Sequence, residues 1–403
     1  MPADSTRDPV ILSAVRTPIG RFLGGLSSQP APRLGALAIQ AAVERSGLNP
    51  ATAPFDEVLM GNVVSAGVGQ APARQAAIFA GIPPTTGATT INKVCGSGLK
   101  SCMIAAQAIR AGDGQLFIAG GMENMSAAPY LVRGRGGGLR YGHEQLTDAL
   151  LLDGLWDPFE DWSMGMAAEW IADEFEVTRE AMDRFALQSH QRALAAEEEG
   201  AFDQERIPVP APMKRQPDHQ VVKDESPRAD TSLEKLAALK PAFKEDGRVT
   251  AGNAPGLNDG ASALVIASRA SAESLGATPI ARIAGYDQAA VPPKEMFGAP
   301  ALAIPKLLDR LGWKLDDIDL LEVNEAFAAQ ILANGRALAE RGWDWDKVNV
   351  HGGAIALGHP LGATGARIVT TLIHALRRHN GTRGLACLCL GGGEAVAMAI
   401  ELE

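Results

Sequence analysis

The chain has 403 residues, enough for more than one core, and is 46% hydrophobic and 21% charged, as soluble globular proteins are. Its formal net charge of -10 argues against a general binder of nucleic acid or membrane surfaces, though it leaves room for a local basic patch that holds an anion. No apolar run reaches the length of a membrane span, the N-terminal stretch does not read as a signal peptide, and the last three residues are not a peroxisomal address.

Four cysteines, Cys95, Cys102, Cys387 and Cys389, fit free thiols in a reducing cytoplasm better than a disulfide framework. The Cys387-Leu-Cys389 spacing points both thiols to one face of a strand and disfavours zinc, so no metal is expected.

In chain order, "PVILSAVRTPIG" opens as a strand and "RLGALAIQAAVERSGL" has helical spacing. "FDEVLMGNVVSAG" is a second strand, and "QAPARQAAIFAGI" is helical again. Residues 88–94, "ATTINKV", read as a strand, and apolar positions from Leu99 to Ile109 follow helical periodicity. Gly112 and Gly114 stop that helix before the strand and turn "QLFIAGGMEN".

The region 125–257 differs in character. It holds the Gly/Arg-rich "VRGRGGGLRYGH", a helical stretch from Ser163 to Gly200 with Thr178 as an N-cap, and a polar, proline-rich segment. From Arg206 to Arg248 nine Lys/Arg and seven Asp/Glu give +2, against -12 for the remainder. An anionic ligand and a solvated flap both fit that charge.

Near the C-terminus a Gly-rich turn, a helix, a loop and a strand ending in glycines repeat the earlier pattern, and "CLGGGEA" echoes "IAGGMEN". The alternation implies an α/β fold of two similar halves. The expected division is 1–124 plus 258–278 for the first half, 125–257 for an insertion, and 279–403 for the second half.

Four stretches carry chemistry. In "NKVCGSGLKS", Cys95 stands at the expected first turn of a helix, where the macrodipole and free N–H groups favour thiolate. An inert buried cysteine is the alternative, and Cys102 fits that description. His359 precedes a proline and is flanked by glycines, which suits an acid/base on an extended turn. Cys389 ends "GLACLCL" before Gly391-Gly392-Gly393, whose N–H groups suit an oxyanion hole; the bland reading, a small core residue, fits Cys387 better. In "LLEVNEAFAAQ", Asn324 either caps a helix or orients a water.

Together "NKVCGSGLKS", "NEAFAAQ", "GGAIALGHPLGATGAR" and "CLCLGGG" resemble the thiolase family, with support from "MGNVVSAGVGQAPARQAA" and "TAGNAPGLNDGA". The resemblance runs in order over nearly the whole chain. It implies a five-layered αβαβα arrangement of two α/β halves with an inserted loop domain. It implies Cys95 as the acylated nucleophile, and His359 as its activator and a donor to one oxyanion hole. It implies Asn324 as holder of a water in that hole, and Cys389 as the acid/base for the carbon acid. The N–H groups of Cys95 and Gly391 would form the second hole. Arg228, Ser163, Met164, Ala326 and Phe327 would contact coenzyme A and the acyl group. Coenzyme A and acyl-CoA would be substrates, with no resident cofactor. A homotetramer is expected, or a dimer, with residues 133–143 at the place of a tetramerisation loop.

Three positions depart from the short-chain acetoacetyl-CoA thiolase pattern: Ser163 in place of His, Pro255 in place of a hydroxyl residue, and Glu394-Ala395 after the glycines. A ketosynthase-like condensing enzyme is disfavoured by the second thiol, Cys389. A non-catalytic lipid carrier has no use for all four catalytic residues, and a cysteine hydrolase is disfavoured by that thiol and the insertion.

Overall fold

The computed structural model describes residues 5–132, 134, 141–212 and 216–403. Most of the stretch expected to mediate tetramerisation, 133 and 135–140, lies outside the described residues.

Nine strands form one continuous path: β1 (Pro9–Arg16), β2 (Glu57–Gly61), β3 (Gly87–Ile91), β4 (Leu116–Asn124), β5 (Asn258–Ser268), β6 (Ala281–Ala290), β7 (Leu320–Val323), β8 (Arg383–Leu390) and β9 (Glu394–Leu402). Their order is β7-β8-β9-β6-β1-β5-β4-β2-β3, with the two-residue strand Gly20–Arg21 added on β5. Strands β3, β2 and β4 are parallel, as are β7 and β8, and the rest pair antiparallel. Two half-sheets meet where β1 pairs β6 through Val10–Arg282 and Ile11–Ala281. Each half runs outward from that seam in the same sense, and a single parallel bridge from Leu321 to Val348 stands where β3 stands in the first half. That match is the structural counterpart of the repeat seen in the sequence.

Period-two alternation sorts the strand side chains into layers. In β1, Val10, Leu12 and Val15 face the core that holds helices α1 (Ala31–Arg45) and α2 (Pro72–Phe79). Ile11 and Ala14 face the opposite way, toward α3 (Ser97–Ala111). In β8, Ala386, Leu388 and Leu390 join that central core, while Leu385, Cys387 and Cys389 face the outer core of the second half. The outer core is covered by α4 (Met164–Glu174), α5 (Arg179–Glu198), α6 (Pro300–Leu311) and α7 (Ala328–Ala337). Helix α8 (Leu361–Arg378) lies beside α3 between the two half-sheets, which completes five layers, αβαβα. The two cysteines of β8 do share one face, as the spacing predicts.

The central helices pack closely because glycines meet there. A Cβ on Gly365 would lie 2.3 Å from the Leu99 nitrogen, and one on Gly98 would lie 2.8 Å from the Ala366 nitrogen. This brings the start of α3, beside Cys95, against the start of α8, beside His359.

Two local expectations change. The single helical stretch from Ser163 to Gly200 is two helices, broken at Glu176, whose φ is +51°. Thr178 then restarts the chain as an N-cap, its hydroxyl accepting the Ala181 N–H at 3.2 Å. Strand β3 ends at Ile91 rather than Val94, and α3 begins at Ser97 with Gly96 as its cap residue. Cys95 therefore stands just before the helix, not inside its first turn.

Candidate active site

The chemical residues lie at the ends of strands. Cys95 follows β3, Asn324 follows β7, and Cys389 and Gly391 close β8. This is where open parallel sheets place ligands. His359 comes from the other direction, between a short helix, Ala354–Leu357, and α8.

Cys95, His359, Cys389 and Gly391 line one cavity of about 170 Å3. Of the residues expected to contact substrate, Ser163, Met164, Ala326 and Phe327 line the same cavity. Met125, Leu155, Phe243, Met296, Phe297 and Leu361 complete a mainly apolar wall. None of these six was singled out from the sequence, since isolated apolar residues carry no local signal of facing a cavity.

Asn324 does not line the cavity surface. It is fully buried, and both Oδ1 and Nδ2 lack a hydrogen-bond partner among the described residues. It does not cap a helix, because α7 starts four residues later, at Ala328 after Phe327. Its backbone N–H donates instead to the Cys387 carbonyl at 2.9 Å, which ties the end of β7 to β8. A buried amide with open valences on both atoms is suited to hold a polar partner.

His359 is oriented from two sides. Its backbone N–H donates to Asn258 Oδ1 at 2.9 Å, and its Nδ1 lies 2.7 Å from Thr364 Oγ1. The Thr364 hydroxyl gives its own proton to the Pro360 carbonyl, at 2.8 Å. It can then only accept from His359, so Nδ1 carries the proton and Nε2 keeps a lone pair. Nε2 is buried and unpartnered among the described residues. Burial, with a smaller push from Arg367, drives this imidazole down to about 3.

The expected stabilisation of a Cys95 thiolate by the helix dipole is overturned. Burial pushes the thiol up to about 12, while the backbone N–H groups of Cys95 and Gly391 pull it down less strongly. The sulfur opens onto an apolar cavity, and it sits two residues short of the helix start. At neutral pH the resting pair is thus thiol and neutral imidazole. The two N–H groups that act on the sulfur are those expected to form the second hole. Cys389 is buried, and desolvation holds its thiol well above the usual range, with Cys95 and Cys387 adding to the shift.

Glu123 at the end of β4 gave no sequence signal. Its buried carboxyl accepts from the N–H groups of Val63, Val64 and Gly362 and from Asn62 Nδ2. It holds the loop after β2 and the first turn of α8 against the site. Burial pushes it up to about 7 against those donors.

A second, more polar chamber of about 390 Å3 shares Ala254, Pro255, Gly256 and Leu257 with the first. Arg228, which is exposed, lines it together with Arg21, Ser226 and the buried His190. The two chambers join an apolar reactive end to a basic outer end. Among the described residues no group of three or more His, Cys, Asp or Glu is placed to hold a metal, and no helix is long and apolar enough to cross a membrane.

The α/β fold presents two thiols and an imidazole on one apolar cavity, and comparison with known proteins shows an enzyme of the acyltransferase class. Residues 9–270 match the model of the thiolase N-terminal domain, and residues 277–402 match that of the thiolase C-terminal domain. An acetyl-CoA acetyltransferase of Pseudomonas aeruginosa is 51% identical over 98% of this chain and 100% of its own length. One from Escherichia coli K12 is 52% identical over 97% of this chain and 98% of its own. The crystal structure of the Bacillus anthracis acetyl-CoA acetyltransferase has a TM-score of 0.93 and 45% identity, covering 98% of this chain and 99% of that one. The chain belongs to the thiolase family.

Proposed function

We propose that this thiolase reversibly cleaves 3-ketoacyl-CoA with coenzyme A, or in the other direction joins two acetyl-CoA to acetoacetyl-CoA, through an acyl-Cys95 intermediate. The observation that carries the reading is two thiols and an imidazole with a free Nε2 on one apolar cavity.

His359 Nε2 takes the Cys95 proton as the sulfur attacks the thioester carbonyl; the coenzyme A thiolate departs and then takes its proton from Cys389, which is left as the thiolate that serves as base in the next step. The acyl enzyme then meets acetyl-CoA, whose Cα proton goes to Cys389. The carbanion attacks the acyl carbonyl, the Cys95 sulfur departs, and acetoacetyl-CoA forms. Thiolysis is the reverse. His359 and a water held by Asn324 serve one thioester oxygen, and the N–H groups of Cys95 and Gly391 serve the other. Two thiols are needed because Cys95 carries the acyl group while the carbon acid loses its proton.

The raised Cys95 pKa fits this scheme. Each thiolate is short-lived in an apolar site and forms only as its proton moves to a positioned partner. Coenzyme A would lie along Ala254–Leu257 with its phosphates toward Arg228, and no resident cofactor takes part. Ser163 and Pro255 relax the wall around the acyl and pantetheine groups, so activity is expected on acetoacetyl-CoA and on some longer 3-ketoacyl-CoAs. A homotetramer, with a dimer as fallback, in the cytoplasm completes the proposal. Light scattering that shows a monomer at micromolar concentration overturns the assembly.

The test is mass spectrometry of protein mixed with acetyl-CoA, followed by thiolysis of a ladder of 3-ketoacyl-CoAs. An acetyl adduct on Cys95 with turnover supports the reading. A protein that binds acetyl-CoA without an adduct is a carrier.

A further inference from the structure

Glu325 directly follows Asn324 and is buried, yet the thiolase reading gives it no role. Its carboxylate gathers donors from three separate places. Oε1 accepts from Asn349 Nδ2 at 2.9 Å, and Oε2 accepts from Ser189 Oγ of α5 at 2.7 Å and from the Ile355 N–H at 3.1 Å. Ser189 Oγ in turn accepts the Gly353 N–H at 3.1 Å. The backbone at Gly353 lies against the carboxylate: a Cβ there would stand 2.2 Å from Glu325 Cδ, so no larger residue fits.

Gly353 is the cap residue of the short helix Ala354–Leu357, and Ile355 is its second residue. N–H groups at a helix start have no intrahelical partner, and Ser189 and Glu325 supply two acceptors there. His359 stands two residues beyond the end of that helix. One side chain thus joins the strand end that carries Asn324 to the helix that leads into His359. Asn349 tightens the same joint from β7: its Oδ1 accepts the Val323 N–H at 2.9 Å, and its Nδ2 also donates to the Val323 carbonyl at 2.8 Å. The two ends are not anchored alike. His359 has bonds of its own, to Asn258 from the backbone and to Thr364 from the ring. Asn324 has the Cys387 carbonyl on its backbone, and neither side-chain atom has a partner among the described residues. The next N–H, of Ala326, donates to Gln330 Oε1 at 3.0 Å, which ties the loop to α7 rather than to His359. The place of Asn324 relative to His359 is therefore set through Glu325.

We infer that Glu325 is a positioning residue that fixes the spacing of Asn324 and His359, the two groups that make the first oxyanion hole. The inference rests on the thiolase reading, and it ties Glu325 to one half-reaction. The Cys95 and Gly391 N–H groups converge on the Cys95 sulfur, so they serve the oxygen of the acyl group formed there. His359 Nε2 and the Asn324 amide are left to serve the acetyl-CoA oxygen, which gains charge as Cα loses its proton. Their spacing therefore governs carbon–carbon bond making. Loading of Cys95 needs the His359 ring, whose own anchors do not pass through Glu325, and is less sensitive.

The experiment compares Glu325→Ala, Glu325→Gln and Ser189→Ala with the wild type. Labelling by radioactive acetyl-CoA reads loading of Cys95, acetoacetyl-CoA formation reads condensation, and thermal melting reads the fold. Glu325→Ala is expected to lose condensation kcat on the order of 100-fold, with labelling rate and KM for acetyl-CoA within a few-fold. Glu325→Gln keeps the shape but turns an amide donor toward one of the three donors, so an intermediate loss of the same kind is expected. Ser189→Ala removes one of those donors and is expected to show a smaller loss, again in condensation alone. Condensation unchanged in Glu325→Ala overturns the inference. So does labelling that falls as far as condensation, which would make Glu325 a structural residue only. Should Glu325→Ala fail to fold, Glu325→Gln and Ser189→Ala decide by the same rule. Wild-type protein that neither labels nor condenses sinks the thiolase reading instead, which keeps the two failures distinct.

Discussion

The Thr364 hydroxyl lies between His359 Nδ1, at 2.7 Å, and the Pro360 carbonyl, at 2.8 Å, and so dictates which imidazole nitrogen keeps its lone pair. Thr364→Val keeps the shape and removes the acceptor. His359 would then lose its tautomer lock, and its buried Nδ1 proton would lack a partner. We expect kcat to fall on the order of 10–100-fold with KM within a few-fold, and stability to fall by about 1–3 kcal/mol. Steady-state kinetics with a denaturant midpoint checks both. An unchanged kcat would show that the ring needs no such lock.

The buried titratable groups predict the shape of the pH–stability curve. His359 is pushed down to about 3, and His190 and His351 to about 4, from an ordinary 6.5. Unfolded chains protonate these rings first, so their contribution is full above about 6.5 and is lost as pH falls. Glu123 and Glu322 are pushed up, to about 7 and about 8, from 4.5. Their contribution is present below 4.5 and is lost as pH rises toward 7 or 8. Between 4.5 and 6.5 the two sets oppose each other, so the curve is shallow there. Below 4.5 the two raised acids no longer oppose the histidines, while Asp224, held low beside Arg16, loses its contribution in the same direction, and the curve steepens, by up to about 1.4 kcal/mol per pH unit for each ring. Urea midpoints across pH 3.5–8 test this; a steady decline from 6.5 downward would mean the two acids are ionised in the fold.

Such groups mark the limit of what the sequence carries. Cys95, His359, Cys389, Asn324 and the glycine turn are legible because each stands in a dense local motif. The layers are legible too, since β1 and β8 alternate and α3 ends at Gly112 in a left-handed turn of φ +87°. Glu123 is not legible: its four donors come from residues about 60 positions upstream and about 240 downstream. The ionisation of Cys95 is not legible for a related reason. The helix dipole is a local term, whereas the apolar wall that outweighs it is assembled from Met296, Phe243 and other distant residues.

Arg367 Nη1 and Glu322 Oε2 meet at 3.2 Å between α8 and β7, with side chains 2% and 3% exposed. Glu322, pushed up to about 8 by burial, is largely protonated at neutral pH, so Arg367→Met leaves a buried acid without its partner, and we expect a loss of about 1–3 kcal/mol. Adding Glu322→Leu removes the stranded group, so the double variant should be more stable than the single one. Thermal melts decide it; a double variant worse than the single would assign the pair a stabilising role beyond charge compensation.

Arg228 tests the outer chamber. It is exposed, its backbone N–H donates to His190 Nδ1 at 3.2 Å, and its carbonyl accepts the Thr231 N–H at 3.4 Å. Arg228→Ala should raise KM for coenzyme A more than it lowers kcat, because it removes binding common to ground and transition states. The effect should shrink at high salt. A KM that does not move would place the phosphates elsewhere.

The two thiols give the sharpest division of labour. Cys95→Ser should lose acylation and every later step, because a hydroxyl is a far weaker acid than a thiol and His359, with its depressed basicity, cannot compensate. Cys389→Ser should behave differently. Cys95 should still accept an acetyl group from acetyl-CoA, since that transfer passes through no carbanion. Condensation and thiolysis should nevertheless fall by orders of magnitude, for the group that moves the Cα proton is gone. Each variant is incubated with labelled acetyl-CoA, label on protein is counted, and carbon–carbon bond formation is assayed. Two variants that both fail to label would place Cys389 in the acylation step, and a Cys389→Ser protein with near-normal condensation would move the carbon acid's base to another residue on the cavity wall.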